Sequence, residues 1–231
     1  MGRRRIGSTV SAFPTVSAVL IAGVAVLAVR SAAVGAPGAA DRSVLAWMLD
    51  HRGAGMLALA RLVTDTGASP LLFPLVALAG TAVRIRVGSW RPAVIALAVA
   101  GLGVLGRLAL SKLVAERRPP SEFWAVPVGG YSFPSGHAAT SVLVAGALVW
   151  LLCQLLPQRW MRLTVAAVLG VWALLVGLSR IYLGVHWLSD VLASWLFAAA
   201  CLTALVSGPW WPSAPVDTVG ELEQPADPAH D

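Results

Sequence analysis

The chain has 231 residues, of which 58% are hydrophobic and 12% are charged, and its mean hydropathy is +0.77. This composition excludes an ordinary soluble globular protein. The formal net charge of +6 could suggest a nucleic-acid partner. However, the basic residues cluster between apolar runs, which is typical of membrane topology signals. We therefore expect a membrane protein without a nucleic-acid partner.

Six apolar runs are candidates to cross about 30 Å of hydrocarbon as helices, with their backbone hydrogen bonds satisfied locally. The predicted spans are residues 6–29, 66–83, 92–106, 138–156, 163–179 and 187–207. The third extends to about Lys112 if Arg107 is tolerated near an interface or a cavity. The expected fold is all-α, a polytopic bundle of about six transmembrane helices.

This bundle is predicted to form one membrane-embedded domain over residues 1–207, with the sequence motifs described below concentrated in residues 107–207. The last part of the chain, residues 208–231, is rich in Pro, Ala and acidic residues and has no periodic apolar face. Such a segment cannot bury enough apolar surface to fold, so it is predicted to be a disordered cytoplasmic tail.

Arginine clusters predict the orientation of the bundle, because cytoplasmic loops carry an excess of Lys and Arg. The clusters fall on alternate connections, at Arg3–Arg5, Arg84–Arg91 and Arg159–Arg162. We expect both termini to be cytoplasmic and residues 30–65, 116–136 and 180–186 to lie outside. Part of residues 30–65 is mildly amphipathic, as in an interfacial helix. A cleaved N-terminal signal peptide is the alternative for the first span, and it leaves the following loop outside as well.

The tetrapeptide Pro134-Ser135-Gly136-His137 directly precedes an apolar run. Serine is a favoured helix cap, so a helix is predicted to begin here. Its free N–H groups and positive dipole end would form an anion site, which Gly136 lets an oxyanion approach closely. An ordinary serine-capped helix with an interfacial histidine is the alternative.

A second polar run, Ser-Arg-x5-His-x3-Asp, contains Ser179, Arg180, His186 and Asp190. If the last helix begins near His186, Asp190 lies one turn further on the same face. Its carboxylate could accept the Nδ1–H of the imidazole and leave Nε2 as a nucleophile. Arg180 could bind phosphate oxygens through two hydrogen bonds. The alternative is a polar pair that closes the helix end.

Two further cations precede these motifs. Lys112 is the single lysine beside sixteen arginines, which suggests a site that needs a compact ammonium group. The alternative is a lysine that extends to the membrane interface from a helix end. Arg118, which is followed by two prolines, is a candidate phosphate ligand.

Together these residues resemble the type 2 phosphatidic acid phosphatase family, the membrane relatives of vanadium haloperoxidases and acid phosphatases. That family carries Lys-x6-Arg-Pro, Pro-Ser-Gly-His and Ser-Arg-x5-His-x3-Asp. The second and third motifs match without a gap at residues 134–137 and 179–190. The first departs, because five residues rather than six separate Lys112 from Arg118. An ungapped alignment would place Ser111 at the lysine position.

The resemblance implies a mechanism. His186 would attack phosphorus and form a phosphohistidine, with Asp190 orienting it. His137 would protonate the leaving oxygen and then help to activate water. Other groups would stabilise charge on the phosphate oxygens, namely Arg118, Arg180, Lys112, Ser135 and the Gly136 backbone. These cations supply the charge that a metal supplies elsewhere, so no metal and no cofactor is expected.

The expected function is an integral-membrane lipid phosphatase at the outer face of a bacterial plasma membrane. Undecaprenyl diphosphate is the favoured substrate, followed by phosphatidic acid and phosphatidylglycerol phosphate. The alternatives are a lipid phosphotransferase with the same intermediate and a catalytically silent phosphate-binding membrane protein. A vanadate-dependent haloperoxidase is disfavoured, because those relatives are soluble.

Overall fold

The structure of the protein is a computed structural model that describes residues 12–34, 37–67 and 69–207. In these ranges the regular structure is entirely helical. The helices are α1 (Ala12–Val34), α2 (Ala39–Asp50), α3 (Ala54–Thr66), α4 (Ser69–Val87), α5 (Arg91–Val114), α6 (Gly136–Leu152), α7 (Arg159–Tyr182) and α8 (Leu188–Ser207), with one 3₁₀ turn at Ser121–Phe123. The expected all-α bundle is confirmed. The predicted tail lies outside the described residues.

Helix α6 occupies the centre of the bundle, packed against α4, α5, α7 and α8, while α1 packs mainly on α8. Its apolar residues are almost all buried, and small side chains allow close approach of neighbouring helices. Gly146 is an example, because a Cβ at this position would lie 2.3 Å from a Leu202 methyl carbon. The outer helices instead expose Val19, Leu78 and Val168. This arrangement, apolar inside and outside, is that of a membrane protein.

Within the described chain, length and composition single out three helical segments able to cross a membrane, namely Thr15–Ala33, Arg91–Val114 and Arg159–Tyr182. Gly136–Leu152 and Leu188–Thr203 are shorter apolar helices, and α4 has 19 residues. Each of the six predicted spans overlaps one of these six helices. The extension of the third span to Lys112 is observed, since α5 continues to Val114.

Several boundaries differ from the prediction. Helix α6 ends at Leu152 rather than at residue 156, because Pro157 cannot continue a helix and a turn forms before it. Helix α7 continues to Tyr182 and so includes Arg180, which was predicted to lie in an outer loop. A span defined by hydropathy ends at the first polar residue. Arg180, however, is buried and donates a hydrogen bond inside the bundle, so the helix continues past it. The predicted interfacial segment forms two helices, α2 and α3.

Candidate active site

His186 and Asp190 meet where the chain passes from α7 into α8. Gly184 makes this connection with a φ of +74°, and a Cβ here would lie 2.3 Å from the Phe123 carbonyl oxygen. Nδ1 of His186 lies 3.2 Å from Oδ2 of Asp190, and both side chains are buried. The expected contact forms, but α8 begins at Leu188, so His186 lies just before the helix and Asp190 in its first turn.

The Asp190 carboxylate is held by other donors as well. Its Oδ2 accepts hydrogen bonds from the Trp187 backbone N–H at 2.8 Å and from the Ser132 hydroxyl. Ser132 Oγ also lies 3.4 Å from Nδ1 of His186. A fixed carboxylate beside Nδ1 favours the tautomer with its proton there, which leaves the lone pair on Nε2. Ser132 has no motif that could have identified it.

Nε2 of His186 faces Arg118, whose Nη1 lies 2.9 Å away. The same guanidinium donates to the carbonyl oxygens of Gly129, Gly130, Tyr131 and Val185 at 2.8–3.1 Å. Arg118 therefore fastens the loop before α6 to the turn before α8. Burial, followed by the charge of Arg118, lowers the pKa of His186 well below its ordinary value, so the imidazole is neutral at pH 7.

The N-terminus of α6 contributes Ser135, Gly136 and His137. Ser135 occupies the N-cap position, as predicted from the sequence, but its side chain makes no capping bond. Its hydroxyl oxygen is buried and has no hydrogen-bond partner among the described residues. A buried donor at a positive helix end is suited to an anion. His137 stands in the first turn, within electrostatic range of Arg180, His186 and Arg118.

Arg180 is 3% exposed and donates from Nη1 to Oγ1 of Thr64 at 2.8 Å. This bond connects α7 to α3, which sequence reasoning left out of the site. Nε of Arg180 is buried and has no partner in the described chain. Thr64 is a polar residue on an amphipathic helix, and nothing in the sequence distinguishes it from a surface threonine.

Lys112, the cation expected from the first motif, shows no polar contact with the other site residues. Lys112 is exposed and forms no hydrogen bond or ion pair within the described residues. The neighbouring Ser111 is buried, one turn beyond Arg107 on the same face of α5. The charge of Arg107 acts on His186 and His137 together with the charges of Arg118 and Arg180. The sequence signal that could have identified Arg107 as a site residue is its charge inside an apolar run.

A second carboxyl group, Glu116, lies behind the His186–Asp190 pair. Its Oε2 and Asp190 Oδ1 are both buried, and the two carboxyl groups interact directly with each other. Burial, followed by the charge of Asp190, raises the pKa of Glu116 to about 7. Glu116 also lines a polar cavity of about 490 Å³ with Ser31, Arg117 and Trp187.

An apolar groove of about 220 Å³ adjoins the site on its α3 and α7 side. Its lining includes Met48, Met56, Leu59, Val63 and Tyr182, and also Ser179, which precedes the buried Arg180.

Among the described residues no group of three or more His, Cys, Asp or Glu is placed to hold a metal ion. The expected metal independence stays a prediction.

Comparison with known proteins shows which family the chain resembles. The family model of the PAP2 superfamily matches residues 54–213. The chain is 34% identical over 131 residues to phosphatidylglycerophosphatase B of Bacillus subtilis, which is 56% of this chain and 64% of that protein. It is 43% identical over 70 residues to an undecaprenyl-diphosphatase of Sulfolobus acidocaldarius, covering 30% of this chain and 29% of the relative. The chain therefore matches less than two thirds of either relative.

Among solved structures, the chain resembles a transmembrane PAP2 type phosphatidylglycerolphosphate phosphatase from Bacillus subtilis. The TM-score is 0.72 at 28% identity, and the match covers 83% of this chain and 93% of that one. The similarity therefore covers most of the chain and not only the sequence motifs.

Proposed function

The chain belongs to the PAP2 superfamily, and on that premise we propose that it is an integral-membrane lipid phosphatase that acts through a phosphohistidine. The observation that carries this proposal is the His186 imidazole. Its Nδ1 is held against Asp190, and its Nε2 faces the Arg118 guanidinium. A neutral, oriented imidazole beside a cation is equipped to attack a phosphate.

In the first step the Nε2 lone pair attacks phosphorus, and the bond between phosphorus and the lipid-side oxygen breaks. His137 gives a proton to that oxygen, so the lipid leaves as an alcohol or as a monophosphate. In the second step His137 takes a proton from water, whose oxygen attacks phosphorus and breaks the P–Nε2 bond. Inorganic phosphate leaves, and both histidines return to their starting state.

Charge on the transferring phosphoryl group is stabilised by preorganised donors, the main source of rate in phosphoryl transfer. Arg118, Arg180, Ser135 and the Gly136 backbone N–H are proposed for this task. Nε of Arg180 and Oγ of Ser135 are buried donors without partners in the described chain, and an incoming phosphate would satisfy both.

The proposed substrate keeps its hydrocarbon tail in the bilayer while its phosphate enters the site. The apolar groove between α3 and α7, next to Arg180, supports a lipid rather than a soluble phosphate ester. The relatives' names suggest phosphatidylglycerol phosphate and undecaprenyl diphosphate. We favour the prenyl diphosphate, hydrolysed at the outer face of a bacterial plasma membrane with both termini in the cytoplasm.

The test is phosphate release by the purified protein in detergent, with phosphatidylglycerol phosphate, phosphatidic acid and undecaprenyl diphosphate compared. We expect turnover in excess EDTA, inhibition by orthovanadate, and an acid-labile phosphoryl label that is lost in His186→Ala. The matched control is His51→Ala, an exposed histidine in the turn after α2.

Several results would count against the proposal. Activity that is lost on chelation and restored by added Mg²⁺ would contradict the metal-free mechanism. Wild-type turnover in His186→Ala would remove the nucleophile. Transfer of the label to an added alcohol, with little release to water, would identify a phosphotransferase instead.

A further inference from the structure

Arg107 lies in an apolar helix, yet its guanidinium reaches the N-terminus of α6. A Cβ added to Gly136 would lie 3.3 Å from Cζ and from one terminal nitrogen of Arg107. The side chain is half-buried, and it forms no hydrogen bond or ion pair with any other described residue. A cation in this position faces the positive end of a helix dipole, which is unfavourable without an anion between them.

The surroundings add to this excess of positive charge. Arg107, Arg118 and Arg180 all act on His186, and Oδ2 of Asp190, the carboxylate beside that histidine, is committed to other donors. Oγ of Ser135, which is fully buried, and Nε of Arg180, which is 3% exposed, have no partner in the described chain. Three cations thus act on one histidine, beside a helix end and two unpaired donors, and a bound phosphate would satisfy these groups.

We propose that Arg107 is a phosphate-binding residue of this site and takes the part that the resemblance assigns to a lysine near position 112. Residues 107 and 111 share a face of α5, because they are one turn apart. Lys112 is rotated by about 100° from residue 111 and is exposed. Ser111 is too short to reach a phosphate, whereas the longer arginine can reach it from one turn further back.

This inference rests on the proposed function for its substrate, but it can be tested separately. The four variants are Arg107→Ala, Arg107→Lys, Lys112→Ala and the double variant Arg107→Ala/Ser111→Lys. The last restores the family spacing Lys-x6-Arg. Arg86→Ala, an exposed arginine in the last turn of α4, is the control for loss of one positive charge.

Two readouts are needed, phosphate release from the lipid substrate and binding of orthovanadate measured by the shift in thermal midpoint. Loss of one charge-stabilising donor should lower the rate of Arg107→Ala by about 10–1000-fold. Vanadate affinity should fall at least tenfold. Arg107→Lys should recover part of the loss, and the double variant should recover more than Arg107→Ala. Lys112→Ala should lose less than Arg107→Ala.

A larger loss in Lys112→Ala than in Arg107→Ala overturns the inference and leaves the proposed function intact. So does an Arg107→Ala protein that is monodisperse and binds vanadate like the wild type. If Arg107→Ala does not fold, Lys112→Ala is compared with Arg107→Lys instead. The inference is overturned if Lys112→Ala keeps no more activity than Arg107→Lys. Absence of turnover by the wild type on every lipid, with vanadate binding that depends on Arg107, would instead defeat the proposed phosphatase while the anion-binding role stands.

Discussion

At the scale of single residues, Arg118 both covers and positions the proposed nucleophile. Its Nη1 donates to Nε2 of His186, so the lone pair is occupied before substrate arrives. Its bonds to four carbonyl oxygens keep the guanidinium in place. An entering phosphate therefore has to replace only the bond to the histidine, and it meets a cation that is already oriented.

Glu116 gives a prediction on pH dependence. It faces Asp190 on α8, Asp41 on α2 and Ser31 on α1, and it lies two residues before Arg118. Its folded-state pKa of about 7 exceeds its ordinary value of 4.5, so the folded protein holds a proton that the unfolded chain releases. Its contribution to the free energy of unfolding is complete below pH 4.5 and is lost as the pH rises through 7.

Glu116→Gln should remove this dependence. Relative to the variant, the wild type should lose roughly 1 kcal/mol between pH 4.5 and 8, a value discounted for solvent screening. The measurement is the thermal midpoint in detergent across that pH range. Glu122→Gln, a change at an exposed residue of the 3₁₀ turn, should follow the wild type. Parallel curves for wild type and Glu116→Gln would contradict the raised pKa.

At the scale of helices, the site is assembled from the C-terminal ends of α5 and α7, the N-terminal ends of α6 and α8, and α3. Helix α3 has two roles here. Thr64 accepts a hydrogen bond from Arg180, and other α3 residues, among them Leu59 and Val63, line the apolar groove. A substrate tail in that groove would place its phosphate near Arg180.

The groove can be tested with a charge placed in its wall. Leu59→Asp should raise KM for a long-chain lipid by about 5–150-fold, because an apolar contact worth roughly 1–3 kcal/mol is lost. Leu62→Asp carries the same charge on α3 but lies outside the groove, so it is the control. Kinetics with a short-chain, water-soluble phosphate ester should be the same in both. An equal rise in KM for the two variants would show that the groove does not hold the tail.

At the scale of the whole molecule, the proposed catalytic groups lie at one end of the bundle, and the two arginine clusters of the described chain lie at the other. Arg84 and Arg86 are in the last turn of α4, and Arg159 begins α7. From the positive-inside rule we propose that this end lies in the cytoplasm and the site on the outer face. Such a site would meet only lipids that are exposed in the outer leaflet.

Cysteine labelling from outside intact cells tests this orientation. With Cys153 and Cys201 replaced by alanine, a cysteine at Glu122 should react with a membrane-impermeant maleimide, and one at Val87 should react only after permeabilisation. Both positions are exposed, and they flank α5: Val87 ends α4 before it, and Glu122 lies in the 3₁₀ turn after it. The reverse pattern would move the site to the cytoplasmic face.

The sequence by itself determined what depends on local spacing. Apolar runs defined the position and number of the spans, and their helical form follows from the need to satisfy backbone hydrogen bonds in lipid. The short separation of His186 and Asp190 at the start of α8 keeps the two side chains in contact, and Pro134–His137 marked the start of α6. The family was evident from the same two motifs.

Only the tertiary structure decided which distant residues join them. Thr64, Ser132 and Glu116 lie 116, 54 and 74 positions from their partners, and no periodicity relates such pairs. Lys112 and Arg107 show the same limit within one helix. Their chemistry is similar, but a rotation of about 100° decides which face meets α6, and that rotation is set by packing of the whole bundle rather than by local sequence.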